Sequence, residues 1–187
     1  MPVLPEDSVL MMNIRLAQET DLDSILKVIE TAFSYEENKV IMNLVQELSR
    51  ETTSPSIKSL VAEVDNQVIG YVSYSPIFLK SDSSISAYIL APLAVFPEHQ
   101  KQGIGSNLIN AGIDMLTKDD VGVLLVYGDP TYYGRFGFKE EIGHSFLPPY
   151  TLQFPFGWIG MMLNNTPFPE QPIQFKCVSA LSKPELW

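Results

Sequence analysis

The chain has 187 residues, 45% of them hydrophobic and 18% charged, with a formal net charge of −10. That apolar content supports one globular core without disulfides or metals and excludes a disordered chain. The acidic balance argues against nucleic acid as a partner, because non-specific binding draws nearly all its energy from phosphate neutralisation. It also steers cations inward, although acidity in most such proteins serves solubility alone.

The opening stretch "MPVLPEDSVLMMNIR" is acidic and broken by two prolines, with no basic region leading into an apolar one. No apolar run reaches the roughly 18 residues a membrane span needs, so neither a secretory signal nor a membrane partner is expected. Cytoplasm is the expected compartment. Residues 1–11 read as a tail ahead of a single domain at 12–187.

"MNIRLA" alternates around Ile14 and Leu16 and predicts a first strand. "ETDLDSILKVIETAF" follows with Thr20 or Asp21 as N-cap and Leu22, Ile25, Leu26, Ile29 and Phe33 at helical spacing. Ser34 to Glu37 break it, and "NKVIMNLVQELSRE" predicts a second amphipathic helix. "SLVAEV" and "VIGYVSYSPIF", joined by Asp65-Asn66-Gln67, read as a hairpin. "SISAYILAPLAVF" reads as a central strand, yet Pro92 cannot donate to a ladder and predicts a bulge or a break in pairing.

A third helix runs from Gly105 to Lys118, and "VGVLLVYG" is short and continuously apolar, as in a strand covered on both faces. "DPTYYGRFGF" opens a short helix with Asp129 as N-cap and Pro130 at the first helical position. Two β-rich segments lie in "LPPYTLQFPFGWIGMML", and another is expected at Ile173 to Val178. Trp158, Met161 and Met162 are expected to pack in these last strands. Cys177 is the only cysteine, which excludes an internal disulfide and suits a reducing compartment. Nothing near it suggests the electropositive setting of a nucleophile.

The junction "EHQKQGIGSNLI" (Glu98 to Ile109) places Gln100, Gly103 and Gly105 between a strand and a helix whose first N–H groups lack intrahelical partners. Such a junction can bind anions, with Lys101 adding positive charge; read alone, it is sooner a tight turn that uses glycine for geometry. It is neither a P-loop, since no lysine follows Gly105, nor a dinucleotide fingerprint, since Leu108 holds the third glycine position.

"LAVFPEHQKQGIGSNLI" resembles the acetyl-CoA signature of the GCN5-related N-acetyltransferase (GNAT) superfamily, Gln/Arg-x-x-Gly-x-Gly/Ala after an apolar strand. Gln100, Gly103 and Gly105 fill its defining places. "YGDPTYYGRFGF" resembles the family's second hallmark, an aromatic helix ending in Gly-Phe, and the two blocks are separated as expected by one helix and one strand. The resemblance covers about Met12 to Glu140 and is nearest to small bacterial members of poorly defined substrate. It implies a mixed α/β fold, with a largely antiparallel sheet of six to seven strands splayed at the acetyl-CoA site and about four flanking helices.

The resemblance also implies acetyl transfer from acetyl-CoA to a primary amine by direct attack, with no metal. The pyrophosphate falls to the backbone N–H groups of Gln102, Gly103, Ile104, Gly105 and Ser106, flanked by Gln100 and Lys101. The pantetheine arm falls to the strand edge at Leu93, Ala94 and Val95, with the Leu93 N–H aimed at the thioester oxygen. Tyr133 is the implied proton donor to the thiolate; Tyr132 is expected to pack or to wall the substrate. For the general base, Glu36, Glu37, Glu63, His99 and His144 are candidates, with His99 expected to face phosphates instead. The acceptor, a small molecule or a protein amine, is not legible, though acidity hints at a polyamine, an aminoglycoside or a lysine. A homodimer through the C-terminal strands stays open, as does a degenerate GNAT that binds acyl-CoA without catalysis.

Overall fold

The computed structural model describes residues 11–81 and 84–187, so nearly all of the expected tail lies outside the described residues. The elements run β1 (Asn13–Leu16), α1 (Leu22–Ala32), α2 (Tyr35–Arg50), β2 (Lys58–Val64), β3 (Gln67–Leu79), β4 (Ala87–Val95), α3 (Ile104–Lys118) and β5 (Val123–Tyr127). They continue with α4 (Pro130–Tyr133), α5 (Glu140–Gly143), β6 (Phe146–Leu147), β7 (Trp158–Met162) and β8 (Ile173–Lys176). The main sheet has the order β1-β2-β3-β4-β5-β7; β8 pairs with the end of β3 and with β6. Only β4/β5 and β6/β8 are parallel. This is the expected mixed fold, with one short helix more than the sequence suggested.

Local chemistry explains the edges of these elements. The hairpin loop is Asp65-Asn66 alone, with φ of 49° and 61°, and Gln67 already pairs with Val64. Both residues take the left-handed conformation that Asp and Asn tolerate best among non-glycines, as a two-residue hairpin turn requires. The break between α1 and α2 is narrower than Ser34 to Glu37. Ser34 Oγ accepts from the Glu37 N–H at 3.4 Å and donates to Glu37 Oε2 at 2.7 Å. This capping makes Glu36 and Glu37 the first turn of α2, where their charges suit the helix dipole.

Continuous apolar runs in β4 and β5 serve two cores at once. Tyr88, Leu90, Leu124 and Val126 join α1 and α3 on one face of the sheet. Ala87, Ile89, Val123 and Leu125 join Leu44 and Leu48 of α2 and the C-terminal segment on the other. Trp158 lies in that second core, stacked on Phe175 at 5.9 Å, with its indole N–H donating to the Phe146 carbonyl at 2.7 Å. Each large apolar side chain buried this way is worth about 1.5–3 kcal/mol.

Pro92 interrupts the ladder on both sides. Toward β3, Val72 faces Leu93 while Tyr74 faces Leu90, so Ser73 alone opposes Ala91 and Pro92: a bulge. Toward β5, parallel pairing ends at Leu90↔Val126. Beyond that point β5 pairs only with β7, and β4 runs from Ala91 to Val95 with no strand on that edge among the described residues. The sheet is splayed at the position the proline marks.

Candidate active site

The open edge of β4 leads straight into the glycine junction. The Phe96 N–H donates to the Ile69 carbonyl at 2.9 Å, which fixes the alternation along this end of the strand. Ala94 therefore turns its N–H to β3, and Leu93 and Val95 turn theirs to the open edge. Consistently, the Val95 carbonyl on that edge accepts from Gln100 Nε2 at 3.0 Å. This bond ties the loop to the strand end, and Gln102 Nε2 stiffens the loop by donating to the Glu98 carbonyl at 3.0 Å.

Lys101 (φ 60°) and Gly103 (φ 83°) then take left-handed conformations, and Gly103 caps α3. Among the described residues, no acceptor takes the N–H groups of Lys101 through Ser106. A Cβ on Gly103 would meet nothing within 4 Å, so the backbone angle, not space, selects glycine there. Gly105 is glycine for space, because a Cβ would stand 2.7 Å from the Tyr132 hydroxyl.

These residues wall a cleft of about 610 Å³. Of the expected cofactor residues, Leu93, Ala94, Val95, Gln100, Lys101, Gly103, Ile104, Gly105 and Ser106 line it; Gln102 stands on the loop beside it. The cleft also holds His99, Tyr132 and Arg135. Arg135 went unnoticed in the sequence. Its guanidinium lies 4.6 Å from the Tyr132 ring centroid and 5.2 Å from that of Phe136, and Nη2 donates to Ser106 Oγ at 3.5 Å. An arginine inside the aromatic block of an acidic chain was the available signal. With Lys101 and the bare N–H groups, it lines the cleft with positive charge and free donors in a chain of net negative charge.

Leu93 also lines a second cavity of about 220 Å³, in the wedge where β4 and β5 part. Tyr133 belongs to this cavity, with Pro92 and Tyr127. Its position follows from α4, which Asp129 caps by accepting from the Thr131 N–H at 2.8 Å with Pro130 in the first turn. The ring packs edge-on against Tyr132 at 5.0 Å and near Phe138 at 5.7 Å. Burial, with a smaller contribution from Tyr132, pushes the Tyr133 phenol well above its ordinary value, so it stays protonated at neutral pH. Its hydroxyl donates to no described residue.

The candidates for a general base are placed elsewhere. Glu63 is bound by Arg15, whose Nη2 and Nε donate to Oε2 at 2.6 and 3.0 Å. Arg15 also grips Asp21 at 2.7 and 2.9 Å, and this hydrogen bonding holds the Asp21 carboxyl below its usual range despite partial burial. Glu36 and Glu37 belong to the start of α2; His144 is exposed and 3.4 Å from Glu140. None of these lines the wedge. Burial pushes the Cys177 thiol up to about 12, which fits an inert packing residue.

Residues 13–140 match the family model described as "Acetyltransferase (GNAT) domain". The chain is 31% identical over 140 residues to YjhQ of Escherichia coli K12, an uncharacterized N-acetyltransferase, covering 73% of this chain and 75% of that one. The crystal structure of YhbS, a GNAT family N-acetyltransferase from Escherichia coli in complex with CoA, superposes with a TM-score of 0.81 at 24% identity over 95% of both chains. A GNAT family acetyltransferase from Brucella melitensis in complex with acetyl-CoA superposes with a TM-score of 0.66 at 26% identity, over 92% of this chain and 99% of that one. On the domain match and the identity to YjhQ, the chain belongs to the GNAT acetyltransferase family.

Proposed function

We propose that the protein is an acetyl-CoA-dependent N-acetyltransferase, with residues 12–187 acting as one unit because β7 and β8 extend the same sheet. One observation carries the reading: the free edge of Leu93 to Val95 runs directly into the unpaired N–H groups of Lys101 to Ser106. An elongated ligand with an amide-bearing arm and a diphosphate matches that order of groups, and the Brucella and E. coli relatives hold acetyl-CoA and CoA.

In this reading the diphosphate takes the N–H groups of Gln102 to Ser106, helped by Lys101 and Arg135. The arm pairs with Leu93, Ala94 and Val95, and the Leu93 N–H donates to the thioester oxygen as charge develops there. One preorganised donor of this kind is worth about 3 kcal/mol in an enclosed site. The amine lone pair attacks the carbonyl carbon, the C–S bond breaks, and the nitrogen releases a proton to water. The thiolate takes its proton from the Tyr133 hydroxyl, which water reprotonates.

Tyr133, Gln100 and both glycines favour an enzyme over an acyl-CoA-binding module. Calorimetry with acetyl-CoA, ATP and NAD, followed by detection of released CoA across an amine panel, tests the proposal. Binding of acetyl-CoA alone with CoA release on an amine is expected; tight binding without turnover on any amine would favour the module, and preference for ATP or NAD would refute the cofactor assignment.

A further inference from the structure

The wedge cavity has a chemistry of its own. Phe33, Ile41, Pro92, Leu93, Leu181 and Leu186 stand on its apolar wall, and among the described residues the only polar side chains on it are the hydroxyls of Tyr127 and Tyr133, with no carboxylate, imidazole or cation. Tyr127 and Leu186 are shared with an adjoining basin of about 510 Å³, in which Asp129 and Glu185 stand beside Phe154, Phe156 and Trp187. The acceptor side therefore consists of an apolar throat behind an acidic, aromatic mouth.

We infer that the acceptor is a primary amine on a compact apolar body, an alkyl or arylalkyl monoamine, which fills the throat between Leu93 and Leu186. This rests on the acetyl-transfer reading and deepens it. An ammonium in the throat would be desolvated with no counter-charge, so a polyamine is disfavoured where its next cation, a few carbons from the reacting nitrogen, still lies within the throat. Aminoglycoside hydroxyls would equally lose their water among leucines. A monoamine satisfies both regions: its cation is gathered at the mouth by Asp129 and Glu185, and its body enters the throat as the proton is lost to solvent. The net acidity of the chain thus attracts the substrate without defining it.

The experiment measures CoA release from acetyl-CoA with methylamine through hexylamine, phenethylamine, spermidine and an aminoglycoside. Acetyl-CoA binding is checked separately by calorimetry. Along the alkyl series kcat/KM should rise about fourfold per methylene until the throat is full, the conversion of about 0.8 kcal/mol for each buried CH2. Spermidine should fall at least about tenfold below hexylamine, the cost of one poorly compensated cation. Ile41→Asp, or Leu186→Asp if the first fails to fold, should reverse the order of hexylamine and spermidine while acetyl-CoA binding is retained. Bound acetyl-CoA with spermidine or the aminoglycoside preferred, with a flat alkyl series, or with none of the monoamines acetylated, overturns the inference and leaves the cofactor reading intact. Absence of acetyl-CoA binding overturns the cofactor reading and this inference with it.

Discussion

The two sides of Leu93 are built by different means. The cleft proposed for the cofactor comes from two chain segments, Leu93 to Ser106 and Tyr132 to Arg135, and its character resides in backbone geometry: an unpaired strand edge, two left-handed residues and a row of free N–H groups. The throat gathers side chains from Phe33 to Leu186, contributed by the turn after α1, α2, two strands, α4 and the C-terminal turns. The first side carries polarity that few alternative sequences would provide. The second carries apolar bulk that many would.

The largest expected effect falls on the cleft. Gly103→Leu forces a left-handed residue, at about 1–2 kcal/mol, in a place with open space for its side chain, so the fold should survive. Distortion of the junction should weaken acetyl-CoA by about 100-fold or more through loss of charge-assisted hydrogen bonds. Unchanged affinity in a titration would dissolve the distinction between the two sides.

Tyr133 stands on the border. Tyr133→Phe should lower kcat by about 100-fold, the usual scale of a lost general acid, with little change in acetyl-CoA affinity. Equal turnover would make Tyr133 a packing residue of the throat. Arg135→Ala should raise the acetyl-CoA Kd by about fivefold, as expected for an exposed cation, and the difference should shrink as salt is added. A salt-independent effect would point to lost packing on Tyr132 instead.

The smallest effects concern a carboxylate cluster that belongs to neither side. Glu63→Gln should leave kcat and its pH profile unchanged, because Glu63 serves Arg15; a loss of the acidic limb would restore it as a base. Asp21 has a depressed folded value, so its stabilising contribution is full above the unfolded value of about 3.9 and is lost as pH falls through the lower folded value. Asp21→Asn should therefore lower the melting temperature at pH 7 by a few degrees. It should also flatten the acid-induced loss of stability that calorimetry sees below about pH 4.

Periodicity, capping residues and one proline carried most of the fold. The alternation in "VLLVY" has two cores because an apolar residue at every position demands cover on both faces. Pro92 announced the splay because a missing N–H is a local fact that no tertiary context restores. Gln100, Gly103 and Gly105 were legible for the same reason. The short helix α5 was not, since "EEIG" has too few residues to show a period.

Tertiary structure decided what chain order cannot express. It set Arg135 over Tyr132 beside Ser106, gave Glu63 to Arg15, and turned Glu36 and Glu37 into a helix start. It also brought Phe33, Ile41 and Leu186 around one cavity. Backbone constraints act within a few residues and leave a sequence signature; a cavity depends on which distant side chains the packing leaves facing one another. By itself the sequence determined the family, the splayed strand and the glycine junction, and the packed molecule alone gave the wedge cavity its apolar character.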